Sequence, residues 1–176
     1  MQQLFIPKER VRLLKKEKQR IAALAKVCDC KITIDADDAI SIENNDQNGY
    51  FEFLARNVLF AFGRGFDLAV AEKLTHDDYY FATIDLGQEL EGKRLLQIKS
   101  RIIGEEGKTK NYIESVSGAK LAIYGDTVSF IGSYAQLEEA QTAVSALIEG
   151  STHKAAYARM EAAHRKNKTQ RHDAAF

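Results

Sequence analysis

The stretch Arg101-Ile-Ile-Gly104-Glu-Glu-Gly107-Lys-Thr-Lys110 holds the residues best suited to chemistry in this chain. Two glycines three positions apart let the backbone approach a ligand closely and adopt conformations closed to residues with a Cβ. If the turn opens a helix, the amides of Glu106 to Lys108 lie at its N-terminus, where unpaired donors and the helix dipole favour a phosphate. Arg101, Lys108 and Lys110 add positive charge around the turn. A strand over Lys120 to Tyr124 would supply the facing wall, with Leu121 and Ile123 as an apolar floor. Single-stranded RNA or DNA fits such a groove, its bases flat on the floor and its backbone over the glycines. Glu105 and Glu106 are unwelcome beside phosphates, so this reading requires their side chains to point outward.

Other chemistries fit less well. Gly107-Lys-Thr109 ends like the nucleotide-binding G-x-x-x-x-G-K-[ST] loop, but Ile102 stands where that motif requires its first glycine. Gly104 alone leaves a loop too short to wrap a β-phosphate. Cys28 and Cys30 lie one residue apart, too close for a comfortable disulfide, and have no second pair or histidine at zinc-ligand spacing. His76 precedes the acidic pair Asp77-Asp78, while His153, His164 and His172 fall in a basic C-terminal region. On a helix, His153 and His164 read as solvated. No catalytic residue, metal site or cofactor is expected.

The formal net charge of zero hides a segregation along the 176 residues. Residues 8–26 carry eight Lys or Arg against two Glu, and from Asp35 to Glu91 the balance is 3 basic to 13 acidic. It returns to seven against three between Lys93 and Lys120, and to six against two from Ser151 onward. The basic regions suit a phosphate backbone, and the acidic middle would be repelled from it or face a protein. A composition of 45% apolar and 28% charged residues is that of a soluble globular protein. Without a leader-like N-terminus, the expectation is a cytoplasmic protein with reduced thiols.

The elements that must position the turn follow from periodicity. Gln3 to Pro7 reads as a strand, and a basic amphipathic stretch follows through Val27. Lys31–Asp35 and Ala39–Glu43 alternate as a hairpin, residues 44–49 form a polar turn, and Tyr50–Phe62 is helical. Asp67–Leu74 is helical again and Asp77–Asp85 strand-like. A linker then leads to a strand over Arg94–Ile98, the glycine turn between short helices, a hairpin at Lys120–Tyr124 and Thr127–Ile131, and a helix closing at Gly150. The order strand, helix, helix, strand, strand, helix thus occurs twice, an internal repeat that proposes two like α/β domains. A further helix from Ser151 through about Lys166 ends in a basic tail.

Three stretches together resemble a known family, the two-KH-domain ribosome-assembly factors called Dim-two or partner-of-Nob-one, in their short archaeal form. They are Phe5-Ile-Pro7, Ala61-Phe-Gly-Arg-Gly-Phe66 with the following helix and Asp77-Asp-Tyr79, and Arg101–Lys110 followed by Ile113-Glu-Ser-Val-Ser-Gly118. The resemblance implies two tandem type I KH domains, residues 1–85 and 86–150, and a helix with tail over 151–176. It places RNA binding on Gly104, Glu105, Glu106, Gly107 and Lys108, with Ile103 and Ile123 lining the groove. It implies single-stranded RNA near the 3′ end of small-subunit ribosomal RNA or its precursor, and a non-catalytic role in ribosome biogenesis. The partners it implies are the Nob-one endonuclease and the α subunit of translation initiation factor two. In the first repeat the turn falls on Lys15-Lys-Glu-Lys18, with both glycines missing, so Lys15, Lys16, Lys18 and Arg20 would form only an auxiliary basic face. A protein-docking adaptor that binds RNA weakly is the alternative.

Overall fold

The computed structural model describes residues 2–44, 49–88 and 90–173, with side chains through residue 170. It divides into two compact units, Met1–Asp77 and Asp78–Phe176. The polar turn expected at 44–49 lies for the most part outside the described residues.

In the first unit, β1 (Gln2–Leu4), α1 (Lys8–Leu14), α2 (Lys18–Val27), β2 (Cys30–Ile34), β3 (Ile40–Asn44) and α3 (Gly49–Gly63) follow the expected order. The strands form an antiparallel sheet in the order β1-β3-β2, with Ile42 opposite Gln2 on one side and Ile32 on the other. The Asp35 carboxylate closes the hairpin by accepting the amides of Asp37 and Ala39, each at 2.9 Å. Val11, Leu14, Ile40, Ile42 and Leu59 are wholly buried, which is what the spacing of apolar residues on each helix and strand requires. A short helix α4 (Leu68–Ala71) and a 3-10 turn over Glu72–Thr75 complete the unit.

Two of the stretches singled out in the sequence meet here. A Cβ on Gly63 would lie 2.5 Å from Cγ2 of Ile6, so only glycine lets α3 pack on the N-terminal segment. Arg10 then donates from Nε to the Phe62 carbonyl at 2.9 Å and from Nη2 to the Phe66 carbonyl at 2.5 Å, its guanidinium 4.1 Å from the centre of the Phe62 ring. A cation at the C-terminus of α3 satisfies carbonyls that have no partner within the helix.

The second unit repeats the plan: β4 (Tyr80–Asp85), α5 (Gly92–Ile103), α6 (Lys108–Ser117), β5 (Lys120–Tyr124), β6 (Thr127–Gly132) and α7 (Tyr134–Ile148). Its sheet order, β4-β6-β5, matches that of the first. Two expectations fail together. Arg94–Ile98 is not a strand but part of α5, because Leu95, Ile98 and Ile102 recur at helical spacing and face the core; a short apolar run is ambiguous between the two periods. The true first strand is Tyr80–Asp85, which pairs with β6 from Tyr80 opposite Gly132 to Asp85 opposite Thr127. That pairing moves the boundary from 85/86 back to 77/78.

The C-terminal helix α8 (His153–Asp173) runs beyond the expected end near Lys166 and belongs to the second unit. Ala156 and Met160 enter a core built on Ile102, Ile113, Phe130 and Leu147. The solvated reading of two histidines is corrected as well: His164 and His153 are half-buried and bonded. His164 Nδ1 lies 2.8 Å from the Glu139 carboxylate, which also accepts Asn167 Nδ2 at 3.0 Å, so a buried acid of α7 is satisfied by α8. Cys28 and Cys30 are buried free thiols, and burial, with the neighbouring Cys30 adding to it, pushes Cys28 up to about 11. Among the described residues no helix is long and apolar enough to cross a membrane and no cluster of acids, histidines or cysteines could hold a metal ion.

Candidate nucleic-acid interface

The link between α5 and α6 is four residues long, and three of them take positive φ: Gly104 (φ 74°), Glu106 (φ 52°) and Gly107 (φ 79°). Gly104, with ψ at 173°, occupies a region essentially reserved for glycine. Its amide caps α5 on the Ser100 carbonyl at 2.8 Å, and its carbonyl accepts the Gly107 amide at 3.2 Å to close the turn. The two glycines differ in their surroundings. A Cβ on Gly104 would fall 2.3 Å from Thr109 Oγ1 and 2.7 Å from the Thr109 amide nitrogen, whereas one on Gly107 would meet only Asn111 Nδ2 at 3.8 Å. Gly104 is thus required by packing beneath the turn, and Gly107 leaves the space above the start of α6 open. Thr109, which a nucleotide-binding loop would offer to a metal, is buried under Gly104 instead.

Glu105 and Glu106 point outward as the sequence reading requires, their side chains 83% and 82% exposed. They pair with Lys108, whose Nζ lies 3.3 Å and 3.9 Å from their carboxylates. Pairs this exposed hold little energy and yield readily to a competing anion. Lys110 lies 3.9 Å from Glu114, which also accepts the Leu121 amide at 2.8 Å and faces Lys120 at 3.7 Å. Glu114, which the sequence offers only as part of a family-like stretch despite its i+4 spacing from Lys110, therefore joins α6 to β5. Lys99, also missed, spans the other side by donating to the Gly125 carbonyl at 2.5 Å.

The floor is smaller than expected. Ile103 is 38% exposed and Ile123 half-buried, so both can meet a base, but Leu121 is 2% exposed and part of the core. It lies on the inner face of β5 directly opposite Phe130, where no ligand reaches it. Arg101 is the other correction. Its guanidinium turns away from the glycines to the end of α7, donating to the Leu147 carbonyl at 3.1 Å and to that of Ser151. An arginine one turn before a glycine loop reads as a phosphate ligand in sequence, yet carbonyls at a helix C-terminus compete for it.

A family model for the second KH domain of Pno1, described as a eukaryotic-type KH domain (KH-domain type I), matches residues 80–165. A KH domain-containing protein of Methanocaldococcus jannaschii is 34% identical over 172 residues, which cover 96% of this chain and 76% of that protein. The chain belongs to the Dim2/Pno1 family of KH-domain proteins. In a solved complex of a/eIF2α, aDim2p and rRNA from Pyrococcus horikoshii, a chain superposes with a TM-score of 0.84 at 32% identity, covering 94% of each. The pre-rRNA-processing protein pno1 of Aspergillus fumigatus is 38% identical over 95 residues, 52% of this chain but only 38% of that longer protein.

The glycine turn is thus the G-x-x-G loop of a type I KH domain. In the first unit the corresponding link between α1 and α2 has no glycine, and its basic residues are partly engaged. Lys15 Nζ lies 2.6 Å from Asp38, whose carboxyl is held below its ordinary range chiefly by that hydrogen bond. Arg20 pairs with Glu72 at 3.0 Å and Glu17 at 3.6 Å. Lys15 and Lys18 rim an apolar groove of about 630 Å³ walled by Ile21, Ala22 and Ala25 of α2 and by Ile32 and Ile34 of β2. Lys16 is exposed on the link itself. The sequence reading found these lysines but not the groove, whose walls lie on elements read there only for their buried sides.

The unequal surroundings of the two glycines set unequal costs. Gly104→Ala should lower stability by roughly 2–4 kcal/mol through strain and overpacking against Thr109. Gly107→Ala should cost only about 1–2 kcal/mol of left-handed backbone strain. Urea unfolding of the two variants measures the difference.

Proposed function

We propose that this protein binds single-stranded RNA through the Gly104–Gly107 loop, and that its RNA is small-subunit ribosomal RNA or its precursor near the 3′ end. The observation that carries the reading is the open space above Gly107, which lets a phosphate approach the N-terminal end of α6 and Lys108 closely while Ile103 and Ile123 receive bases. Lys108 and Lys110 supply charge in place of the paired acids. The rRNA of the solved aDim2p complex and the pre-rRNA-processing role named for the fungal relative favour this class of RNA.

The role is that of a non-catalytic assembly factor in the cytoplasm, a setting in keeping with two buried free thiols. The protein partners that belong to this reading are the α subunit of translation initiation factor two, named in that solved complex, and the Nob-one endonuclease, which the family resemblance alone supports. The lysine-rimmed groove of the first unit assists by side-chain contact to phosphates, which needs no close approach of the backbone.

Gly107→Asp tests the loop, since it puts a carboxylate where the phosphate would sit at a cost to folding of only about 1–2 kcal/mol. It should abolish binding to a single-stranded fragment from the 3′ end of small-subunit rRNA while thermal unfolding stays cooperative; binding at the parent affinity would overturn the reading. The parent's affinity should also fall steeply with salt. Reversing the charge of Lys15, Lys16 and Lys18 together should weaken the same binding several-fold, at roughly 1 kcal/mol in all for partly paired, exposed contacts. No change would remove the auxiliary role of the first unit.

A further inference from the structure

The C-terminal helix α8 lies outside the βααββα order, yet its first two turns hold both helices that flank the glycine loop. Thr152 caps α8 by accepting the Ala155 amide at 3.2 Å. His153, the first residue, then places Nε2 at 3.0 Å from the carbonyl of Arg101. A carbonyl only accepts, so Nε2 carries the proton. Arg101 O belongs to the last turn of α5, where carbonyls have no partner within the helix. The neighbouring Ser100 carbonyl is capped by Gly104 itself, so the direction in which α5 ends sets where the loop begins.

The same residue is gripped from both sides, since the Arg101 guanidinium holds Leu147 and Ser151 at the corner between α7 and α8. That corner is stiff: Gly150 turns it at φ 97°, and the Ser151 amide returns to the Ala146 carbonyl at 2.9 Å. One turn further along α8, the Tyr157 ring packs against that of Tyr112 of α6, tilted by 46° with ring centres 4.3 Å apart. Tyr112 donates its hydroxyl to Glu161 at 2.5 Å, a bond that also raises the Tyr112 phenol above its ordinary range. Tyr112 stands one turn after Lys108, the residue that starts α6 behind the loop.

We propose that His153 is a positioning residue for RNA binding: by holding the Arg101 carbonyl while Tyr157 holds α6, it fixes the spacing between the end of α5 and the start of α6. On this view the affinity of the Gly104–Gly107 loop depends on a helix that does not touch the RNA. The affinity arm rests on the RNA reading proposed above; the geometry of the latch does not.

The test uses the full chain carrying His153→Ala, His153→Gln or His153→Asn. A glutamine amide reaches the position of Nε2 and an asparagine amide that of Nδ1, so only glutamine can restore the bond to Arg101. Two quantities are read: affinity for the single-stranded rRNA fragment and native-state amide exchange at Gly104 to Lys108. His153→Ala should weaken binding roughly 3- to 10-fold, the loss of one hydrogen bond, and speed exchange at the loop. Glutamine should restore both and asparagine neither. Parent-like affinity and loop exchange in the alanine and asparagine variants would overturn the proposal, as would equal losses for glutamine and asparagine with loop exchange unchanged. If the alanine variant fails to fold, the glutamine and asparagine pair decides. If the parent itself binds no RNA, the RNA reading fails and loop exchange alone judges the latch.

Discussion

The site depends on a steric constraint: two helices joined by four residues, with the buried Thr109 pressed against the first of the linking glycines. There is no room between α5 and α6 for a Cβ at Gly104, and no L-residue readily takes its backbone angles. That contact brings the helices close enough for Ile102 and Ile113 to share one core, and the chain between them turns within four residues, its Gly107 amide on the Gly104 carbonyl and its Lys108 amide on that of Glu105. The floor, the lysines and the outward glutamates are arranged around this turn. Glu114 and Lys99 then tie the groove to β5 and to the β5–β6 turn, so its two walls are held by side chains rather than by the backbone of the loop.

The same order of elements and strands appears twice in the chain with different surfaces. In the first unit the loop lacks glycine and its place is taken by lysines and an arginine, half of them answered by acids of the same unit. A backbone clamp and a side-chain rim make different demands. The clamp requires particular dihedral angles, while the rim requires only reach and charge. On the RNA reading proposed above, one unit would take a phosphate close against its glycine loop, and the other would meet phosphates only with its side chains.

Much of this was legible in the sequence because it rests on local rules. The glycine spacing, the hairpins and the helix between Tyr134 and Ile148 each follow from residues close in the chain. The resemblance to KH proteins also rested on stretches with a physical cause, since Gly63, Ile6 and Arg10 interlock around the end of α3. What failed depended on distant partners. Arg94–Ile98 has too few apolar residues to separate a strand from a helix, and only the pairing of Tyr80–Asp85 with β6 resolves it. Arg101 reads as a phosphate ligand from its neighbours in sequence, while the carbonyls that hold it lie 46 and 50 residues away. Leu121 alternates correctly with Ile123, but strand period says nothing of how far along the strand the core extends. His153 gave no signal, because a histidine on a helix shows its partner only when the fold is known.

The measurement that bears most directly on the glycine loop is an amide NMR titration of the full chain with a short single-stranded fragment from the 3′ end of small-subunit rRNA. The largest shifts should fall on Ile103 to Lys110 and on Ile123, with smaller ones at the lysine-rimmed groove of the first unit. Shifts confined to the outer faces of α7 and α8, leaving the loop unmoved, would contradict RNA binding at Gly104–Gly107.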